Sequence, residues 1–186
     1  MTGIIPPKLF VKRSDVPIQS LMDMDFAPSR ETPALVYKEG HPDKPHDDRK
    51  TTLKMDIKPQ EYPEVCKALL NIIPIWDKAL DPADFVVSEF NYLKYGVGDL
   101  FKKHKDRLPD NSGSLKPRLF STSTIIKVSD DLKGGEFRIW PEDESTTIEC
   151  NLDVGDTIFF SSQTMHEVNT VYSGNREVLV AWITHK

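Results

Sequence analysis

Residues 157–183 have the sequence TIFFSSQTMHEVNTVYSGNREVLVAWI, in which short runs rich in β-branched and aromatic residues alternate with polar, turn-forming residues. The three runs are Thr157–Phe160, Met165–Val171 and Glu177–Ile183. Runs of this length and composition are typical of β-strands. The stretch therefore predicts three strands joined by short turns.

The same pattern extends towards the amino terminus as far as Phe85. Four more strand-like runs precede residue 157, namely Phe85–Tyr95, Leu119–Val128, Glu136–Trp140 and Thr146–Cys150. Seven short strands in about a hundred residues, separated by glycine and other turn residues, predict a β-sandwich or a barrel.

The first 84 residues have a different pattern. Apolar and polar residues alternate from Thr52 to Ile57, which predicts a half-buried strand. Between Pro63 and Leu80 apolar residues recur every three or four positions, which predicts a helix that Pro74 splits in two and that packs against a sheet. The segment Lys38–Lys50 has no apolar residue to anchor it and is predicted to be an exposed loop.

Composition restricts the class of protein. Of the 186 residues 38% are hydrophobic and 28% are charged, as expected for one globular domain of ordinary size. The formal charge of -5 argues against nucleic acids and anionic membranes as partners, because such binders need a concentrated excess of basic residues. Cys66 and Cys150 are far apart and in no metal-ligand spacing. With no signal-like or membrane-spanning run in this sequence, these features predict a cytoplasmic protein.

The segment Tyr95–Asp106, YGVGDLFKKHKD, carries the first candidate metal ligands. His104 and Asp106 are two positions apart, so on a strand both side chains project to the same face. Of the remaining histidines only His166 lies inside a predicted strand. Two histidines and one carboxylate on one face of a metal leave the other positions open, an arrangement that suits Fe(II).

Arg176 follows His166 by ten residues. On a regular strand its side chain shares a face with Val178, Val180 and Trp182. A cation on an apolar face is costly unless a carboxylate meets it, so the pattern predicts either an acidic ligand or a buried ion pair.

This combination of motifs resembles the Fe(II)- and 2-oxoglutarate-dependent dioxygenases, in particular their prolyl 4-hydroxylase-like branch. The resemblance covers roughly Phe85 to Thr184 and rests on the H-x-D pair, the later histidine and the basic residue ten positions on. The flanking motifs that support it are the Y-x-x-G turn at Tyr95–Gly98, Gly134-Gly135-Glu136, the G-D-x-I-x-F run at Gly155–Phe160, and Trp182.

The resemblance implies a fold that is mainly β with N-terminal α: a double-stranded β-helix, or jelly roll, with the supporting helices packed on one sheet. Residues 1–186 are then predicted to form a single domain. Within it, residues 1–84 are the amino-terminal extension with its supporting helices, and residues 85–186 are the jelly-roll catalytic core.

The resemblance also implies roles for individual residues. His104, Asp106 and His166 are the implied ligands of Fe(II), which 2-oxoglutarate chelates as cosubstrate. Arg176 is implied to bind the distal carboxylate of 2-oxoglutarate through two parallel hydrogen bonds. Tyr95 stands where the family often has an active-site tyrosine and is a further cosubstrate-binding candidate. Molecular oxygen is the implied second reactant, and ascorbate is an accessory candidate.

Two positions depart from the family's pattern. Many relatives have, in the stretch that corresponds to Ser123–Val128, a tyrosine that hydrogen-bonds the distal carboxylate, and this chain has none there. Lys127 and Thr124 are the candidates to replace it, and the strand register decides which of them faces inward. Phe101 stands where some relatives carry a tyrosine, which predicts a more apolar pocket.

Two features beside the site each have two interpretations. The polar loop Arg107–Arg118 is either a lid over the metal or a long surface connection. Trp182 is either a core residue that shields the site or a direct substrate contact.

The activity implied is hydroxylation of a C–H bond, with a prolyl residue of a peptide or protein as the leading substrate. A free amino acid or another small molecule is the alternative substrate. Two other classes compete: a noncatalytic jelly-roll protein whose triad holds zinc or is empty, and a zinc hydrolase that has no role for Arg176. The sequence predicts no oligomeric state.

Overall fold

The computed structural model describes residues 9–22, 35–36, 44–45, 48–107 and 117–186, which form two antiparallel β-sheets, two short ribbons and three short helices. In chain order the strands are β1 (Val11–Arg13), β2 (Leu35–Val36), β3 (Lys44–Pro45), β4 (Arg49–Lys50), β5 (Leu53–Ile57), β6 (Phe85–Tyr95), β7 (Leu100–His104), β8 (Phe120–Val128), β9 (Lys133–Gly134), β10 (Phe137–Trp140), β11 (Ile148–Cys150), β12 (Thr157–Ser161), β13 (Met165–Val168), β14 (Val171–Ser173) and β15 (Arg176–His185).

The two sheets confirm the predicted jelly roll. The larger sheet has the strand order β1-β12-β8-β15-β6-β5, and the smaller sheet has the order β11-β10-β13-β7-β4. β9 pairs with β14, and β2 pairs with β3, in separate two-stranded ribbons. Neighbouring strands are often distant in sequence, so successive strands alternate between the sheets and enclose one interior.

Two clusters of buried side chains lie on opposite faces of the larger sheet. Val178 belongs to the cluster between the sheets and Leu179 to the cluster under the helices, as the alternation of a strand requires. Phe137 and Val168 of the smaller sheet complete the inner cluster. The candidate site lies within this inner cluster.

The helices pack on the outer face of the larger sheet, as predicted. They are α1 (Gln19–Met22), α2 (Pro63–Leu70) and α3 (Ile73–Trp76). Val65 and Leu69 of α2 are fully buried in the outer cluster. The predicted split of the helix is confirmed, and Pro74 lies in the first turn of α3, where its missing N–H has no helical partner to lose. None of the helices in the described ranges is both long and apolar enough to cross a membrane.

The first 84 residues also add edge strands to both sheets. β1 pairs with β12 and β5 with β6 in the larger sheet, while β4 pairs with β7 in the smaller one. The prediction of an exposed loop over Lys38–Lys50 is therefore wrong at Lys44–Pro45 and Arg49–Lys50, and residues 38–43, 46 and 47 lie outside the described ranges. A polar segment can form an edge strand because the ladder uses only main-chain groups.

The predicted strand Met165–Val171 is two strands in the structure. β13 ends at Val168 in the smaller sheet, and Val171 pairs with Gly134 of β9 in the ribbon. The backbone of Asn169 donates to Glu136 O at 2.9 Å between the two. This change of partner carries the ribbon across the end of the inner cluster, where Arg176 lies against Gly135.

Candidate active site

Three predicted ligands meet between the sheets. His104 is the last residue of β7, Asp106 follows it by two residues, and His166 lies on β13 opposite His104 in the strand register. One ligand atom from each residue lies within 4.8 Å of those of the others. The pairing of β7 with β13 thus brings together residues about sixty positions apart.

The two imidazoles are turned so that the same ring nitrogen faces the common point. Nδ1 of His104 lies 2.7 Å from Lys102 O, and Nδ1 of His166 lies 2.9 Å from Thr164 O. Because a carbonyl oxygen can only accept, each Nδ1 carries the proton and each Nε2 has a free lone pair. Both Nε2 atoms lie 3.5 Å from a carboxylate oxygen of Asp106.

Burial makes this cluster electrostatically uneven. Burial lowers the pKa of His166 to about 4, so its imidazole is neutral at neutral pH. Burial alone would raise the pKa of Asp106, but the nearby His166 and His104, together with Arg118, more than offset it and hold that pKa well below its usual range. The triad therefore presents two neutral imidazoles and one carboxylate, the protonation state that a metal requires.

The residues present fit a divalent iron ion. His104 Nε2 is buried and makes no hydrogen bond within the described part of the chain, so its lone pair has no protein partner. Two nitrogen donors and one oxygen donor on one side are the ligand set of non-haem Fe(II) oxygenases and leave positions open for other ligands.

Arg176 is buried on the inner face of β15, with 4% of its surface exposed. Its Nη1 donates to the main-chain oxygen of Gly135, while Nε and Nη2 have no hydrogen-bond partner among the described residues. Burial lowers the pKa of Arg176, and Tyr95 and Glu136 oppose that effect. Orphaned guanidinium donors in an apolar interior are costly, and a carboxylate ligand would satisfy two of them at once.

The pocket that joins these groups encloses about 410 Å³ of empty space and is lined by all three candidate ligands. Tyr95 also lines it, and the Arg176 guanidinium carbon lies 6.0 Å from the centroid of the Tyr95 ring. Most of the other walls are apolar, formed by Leu93, Phe137, Phe160, Val168, Val178 and Val180.

Lys127 and Thr124, the predicted replacements for a tyrosine, do not line this pocket. Lys127 Nζ lies 3.8 Å from a carboxylate oxygen of Glu177, and Thr124 Oγ1 lies 2.8 Å from Thr157 Oγ1. Lys127 stands opposite Glu177, but an irregularity in the pairing then sets Val178 opposite Ile125. The structure therefore does not support Lys127 as a cosubstrate ligand. Ser123, which does line the pocket, is nearer to the position that sequence reasoning sought.

Trp182 satisfies both interpretations drawn from the sequence. It is 4% exposed, lines the pocket, and its Nε1 has no hydrogen-bond partner within the described ranges. The guanidinium of Arg118 lies over its ring at 3.8 Å from the centroid. Glu89 accepts two hydrogen bonds from Arg118, at 3.1 and 2.7 Å, which hold the stack in place.

The predicted lid lies mostly outside the described residues, which stop at Arg107 and resume at Pro117. Arg107 N donates to Ser162 O at 2.8 Å, next to the ligand Asp106.

Sequence reasoning missed Arg49, which also lines the pocket. Its guanidinium carbon lies 4.7 Å from the centroid of the Phe101 ring, and that ring stacks on His104. No sequence signal marked it, because it lies in a stretch of polar residues without periodicity.

Comparison with known proteins gives consistent results. Residues 90–184, just over half of the chain, match the family model of the 2OG-Fe(II) oxygenase superfamily. A PKHD-type hydroxylase of Psychrobacter sp. is 28% identical over 134 residues, which is 70% of this chain and 50% of that protein. The chain spans about half the length of the curated relatives that it matches.

Solved structures share the fold. A Pseudomonas putida prolyl-4-hydroxylase has a TM-score of 0.63 at 17% identity, over 96% of this chain and 93% of that one. A Trichoplax adhaerens prolyl hydroxylase, in complex with a peptide fragment of the hypoxia inducible factor oxygen degradation domain, has a TM-score of 0.62 at 14% identity, over 95% and 84% of the two chains. At these identities the likeness establishes a common jelly roll. With the family model matched across the triad and Arg176, the chain belongs to the 2OG-Fe(II) oxygenase superfamily.

Proposed function

We propose that this chain is an Fe(II)- and 2-oxoglutarate-dependent dioxygenase that hydroxylates a C–H bond, with a prolyl residue of a peptide or protein as its substrate. One observation carries the proposal. A facial set of two histidines and one carboxylate lies in the same apolar interior as a buried arginine with two unsatisfied donors. The triad suits the metal, and the arginine suits the acidic end of the cosubstrate.

His104, Asp106 and His166 would hold the iron through two Nε2 atoms and one carboxylate oxygen. When bound, Fe(II) and 2-oxoglutarate supply the activation of dioxygen and the oxidation of the C–H bond, with loss of carbon dioxide and formation of succinate. The contribution of the chain is to orient these ligands and keep the imidazoles neutral.

Arg176 would bind the distal carboxylate of 2-oxoglutarate, with Tyr95 beside it in the pocket wall. A bidentate contact would satisfy Nε and Nη2 and fix the orientation of the cosubstrate. The apolar walls exclude bulk water, which strengthens these charge interactions and protects the oxidation from side reactions.

A prolyl substrate is supported by two observations. The apolar walls of the pocket and Phe101 suit an uncharged ring, and two of the structures that share the fold are prolyl hydroxylases. A free amino acid or another small molecule is the alternative, since a pocket of this size accepts either.

We further propose that residues 1–186 act as one unit in the cytoplasm. Edge strands from the first 84 residues extend both sheets of the 85–186 core, which supports a single unit. Both cysteines are free thiols, which supports a reducing compartment. Cell fractionation of the tagged protein tests the location.

The direct test is succinate formation by anaerobically purified protein supplied with Fe(II), 2-oxoglutarate, ascorbate and oxygen. We expect slow succinate formation without substrate, which stops in His166→Ala, and faster formation with a proline-rich peptide. Mass spectrometry should find a gain of one oxygen atom on a prolyl residue. Omission of ascorbate tests its accessory role.

Each competing class predicts a different result. A noncatalytic protein forms no succinate and does not bind 2-oxoglutarate by calorimetry. A zinc hydrolase is active with Zn(II), and Arg176→Ala leaves that activity intact. Stimulation by free proline but not by peptides would select the small-molecule substrate.

A further inference from the structure

A second arginine lines the candidate pocket from outside the part of the chain that matches the family model. Arg49 lies on β4 and stands opposite Phe101 of β7. Lys102 binds Asp48 twice, from its main-chain N to Asp48 O at 2.7 Å and from Nζ to Oδ1 at 2.9 Å. These bonds fix the register of β4 and with it the place of Arg49.

The guanidinium of Arg49 is separated from a candidate iron ligand by one aromatic ring. Its Cζ lies 4.7 Å from the centroid of Phe101, whose ring stacks on His104 with the centroids 3.4 Å apart and the planes 18° apart. An arginine stacked on an aromatic face keeps its N–H groups in the ring plane of the guanidinium, where they can still donate to a ligand. The cation is thus held at the pocket without losing its donors to the stack.

The charge of Arg49 acts inside the pocket. Burial raises the pKa of Tyr95, and the positive charges of Arg49 and Arg176 oppose that rise, Arg49 more strongly. With mostly apolar walls, the pocket screens these charges less than water does. An anionic group in the pocket would therefore interact with both arginines.

The two arginines differ in their surroundings. Arg176 is 4% exposed and has two orphaned donors, which suits the distal end of a cosubstrate whose other end lies on the metal. Arg49 is half-buried and lies on the edge strand of the smaller sheet. A carboxylate at Arg49 is therefore a third anionic group, beyond the two that 2-oxoglutarate supplies.

We propose that Arg49 binds a carboxylate of the substrate, so that the protein selects prolyl compounds that carry a negative charge beside the target ring. This inference rests on the function proposed above. Two sources share that chemistry: the α-carboxylate of proline itself, and the side chain of an acidic residue next to a prolyl residue in a peptide.

The experiment compares matched pairs of probes. One pair is L-proline and L-prolinamide, and the other is acetyl-Gly-Pro-Asp-Gly-amide and its Asn counterpart. Each is tested with the wild type, Arg49→Gln, Arg49→Lys and Lys50→Gln. Lys50 is the exposed neighbour of Arg49 on β4, so its variant removes one charge from the same strand. Measured are kcat/KM from substrate-stimulated succinate formation, and probe binding by calorimetry to protein loaded with Zn(II) and 2-oxoglutarate.

We expect the wild type to prefer the carboxylate member of at least one pair about tenfold or more, which is the usual effect of one charge-assisted contact. Arg49→Gln should lose the preference, Arg49→Lys should keep part of it, and Lys50→Gln should keep all of it. The pair that shows the preference identifies the source of the carboxylate.

Three results would overturn the inference. The wild type could discriminate neither pair, Arg49→Gln could retain the preference, or Arg49→Gln could raise the KM for 2-oxoglutarate while substrate preference is unchanged. Failure of the proposed function is a separate result, because the wild type would then form no succinate even without substrate. The calorimetric arm decides the carboxylate preference in that case too.

Discussion

Both candidate histidine ligands are oriented by the main chain of their own strands. In each case Nδ1 bonds the carbonyl oxygen two residues earlier, at Lys102 and at Thr164. Many metal-binding histidines are held instead by a carboxylate from elsewhere in the fold. Here the correct tautomer follows from local backbone conformation, so the ligand geometry forms as soon as β7 and β13 pair.

Replacement of a ligand should abolish metal binding and leave the fold intact. For His166→Ala we expect no stoichiometric Fe(II) binding in anaerobic calorimetry, because two ligands remain where three are needed. The circular dichroism spectrum should be unchanged. His185→Ala, an exposed histidine at the end of β15, is the matched control and should bind one equivalent. Stoichiometric binding by His166→Ala would remove this residue from the site.

Arg176→Ala should raise the 2-oxoglutarate requirement. Loss of a bidentate charge-assisted contact costs about 2 to 4 kcal/mol, which corresponds to an increase in KM of about thirtyfold to a thousandfold. Initial rates of succinate formation at varied 2-oxoglutarate measure it. Lys127→Ala is the control, because Lys127 lies beside Glu177 and outside the pocket. A raised KM in the control instead would show that the sequence-based choice of Lys127 was right.

At the scale of elements, β1 is attached to the larger sheet through one buried carboxylate. Asp156 is 4% exposed and lies 2.5 Å from both Lys12 Nζ and Ser14 Oγ, the latter just beyond the strand. It also accepts a hydrogen bond from Asp153 N at 2.8 Å, which closes the turn before β12. A single side chain thus joins the amino-terminal strand to the turn that aligns its partner.

Asp156→Asn should destabilise the protein in a pH-dependent way. Burial raises the pKa of Asp156, but hydrogen bonds from Lys12 and Ser14 outweigh it, so the pKa lies below its usual range. A carboxyl with a depressed folded-state pKa adds stability above the unfolded pKa of about 4, and this stability is lost as pH falls through the folded value. Urea denaturation should show a loss of about 1 to 3 kcal/mol at pH 7 that shrinks below about pH 4.

The exposed Asp15 provides the control for that prediction. It pairs with Arg13 at the surface, where an ion pair contributes about 0 to 1 kcal/mol. Asp15→Asn should therefore change the free energy of unfolding by less than Asp156→Asn at pH 7. Equal effects would mean that the attachment of β1 does not depend on Asp156.

The ribbon of β9 and β14 depends on a glycine. Gly134 has φ +78°, and a Cβ there would lie 2.0 Å from Thr170 O. Gly98 has φ +85° with nothing within 4 Å of its Cβ position, so Gly98→Ala carries the backbone strain alone, about 1 to 2 kcal/mol. We expect Gly134→Ala to be more destabilising by a further 1 to 3 kcal/mol, roughly, in thermal unfolding. It should also raise the KM for 2-oxoglutarate, since the ribbon continues into Gly135, the partner of Arg176.

At the scale of the whole molecule, much of the jelly roll could be predicted because its strands follow simple alternation. The predicted limits of β6 agree with the structure, and the inner face of β15 carries Val178, Val180 and Trp182 as expected. The H-x-D spacing and the distant His166 were recognisable because metal ligands impose fixed residue types. Fold and metal site thus depend on patterns that the sequence displays directly.

Two features could not be predicted, and each has a physical reason. The irregularity between Glu177 and Val178 displaces one residue of β8, and no side chain marks it, so the orientation of Lys127 was lost. β4 has two polar residues and pairs through main-chain atoms alone, so hydrophobic periodicity could not reveal that it brings Arg49 to the pocket.

The two halves of the candidate site belong to different sheets. His104 and His166 lie on strands of the smaller sheet, whereas Tyr95 and Arg176 lie on strands of the larger one. A cosubstrate that touches the metal and Arg176 is therefore a noncovalent cross-link across the interior. Metal alone should slow amide exchange in the smaller sheet, whereas metal and 2-oxoglutarate together should slow it in both sheets, so that the loaded protein opens as one cooperative unit.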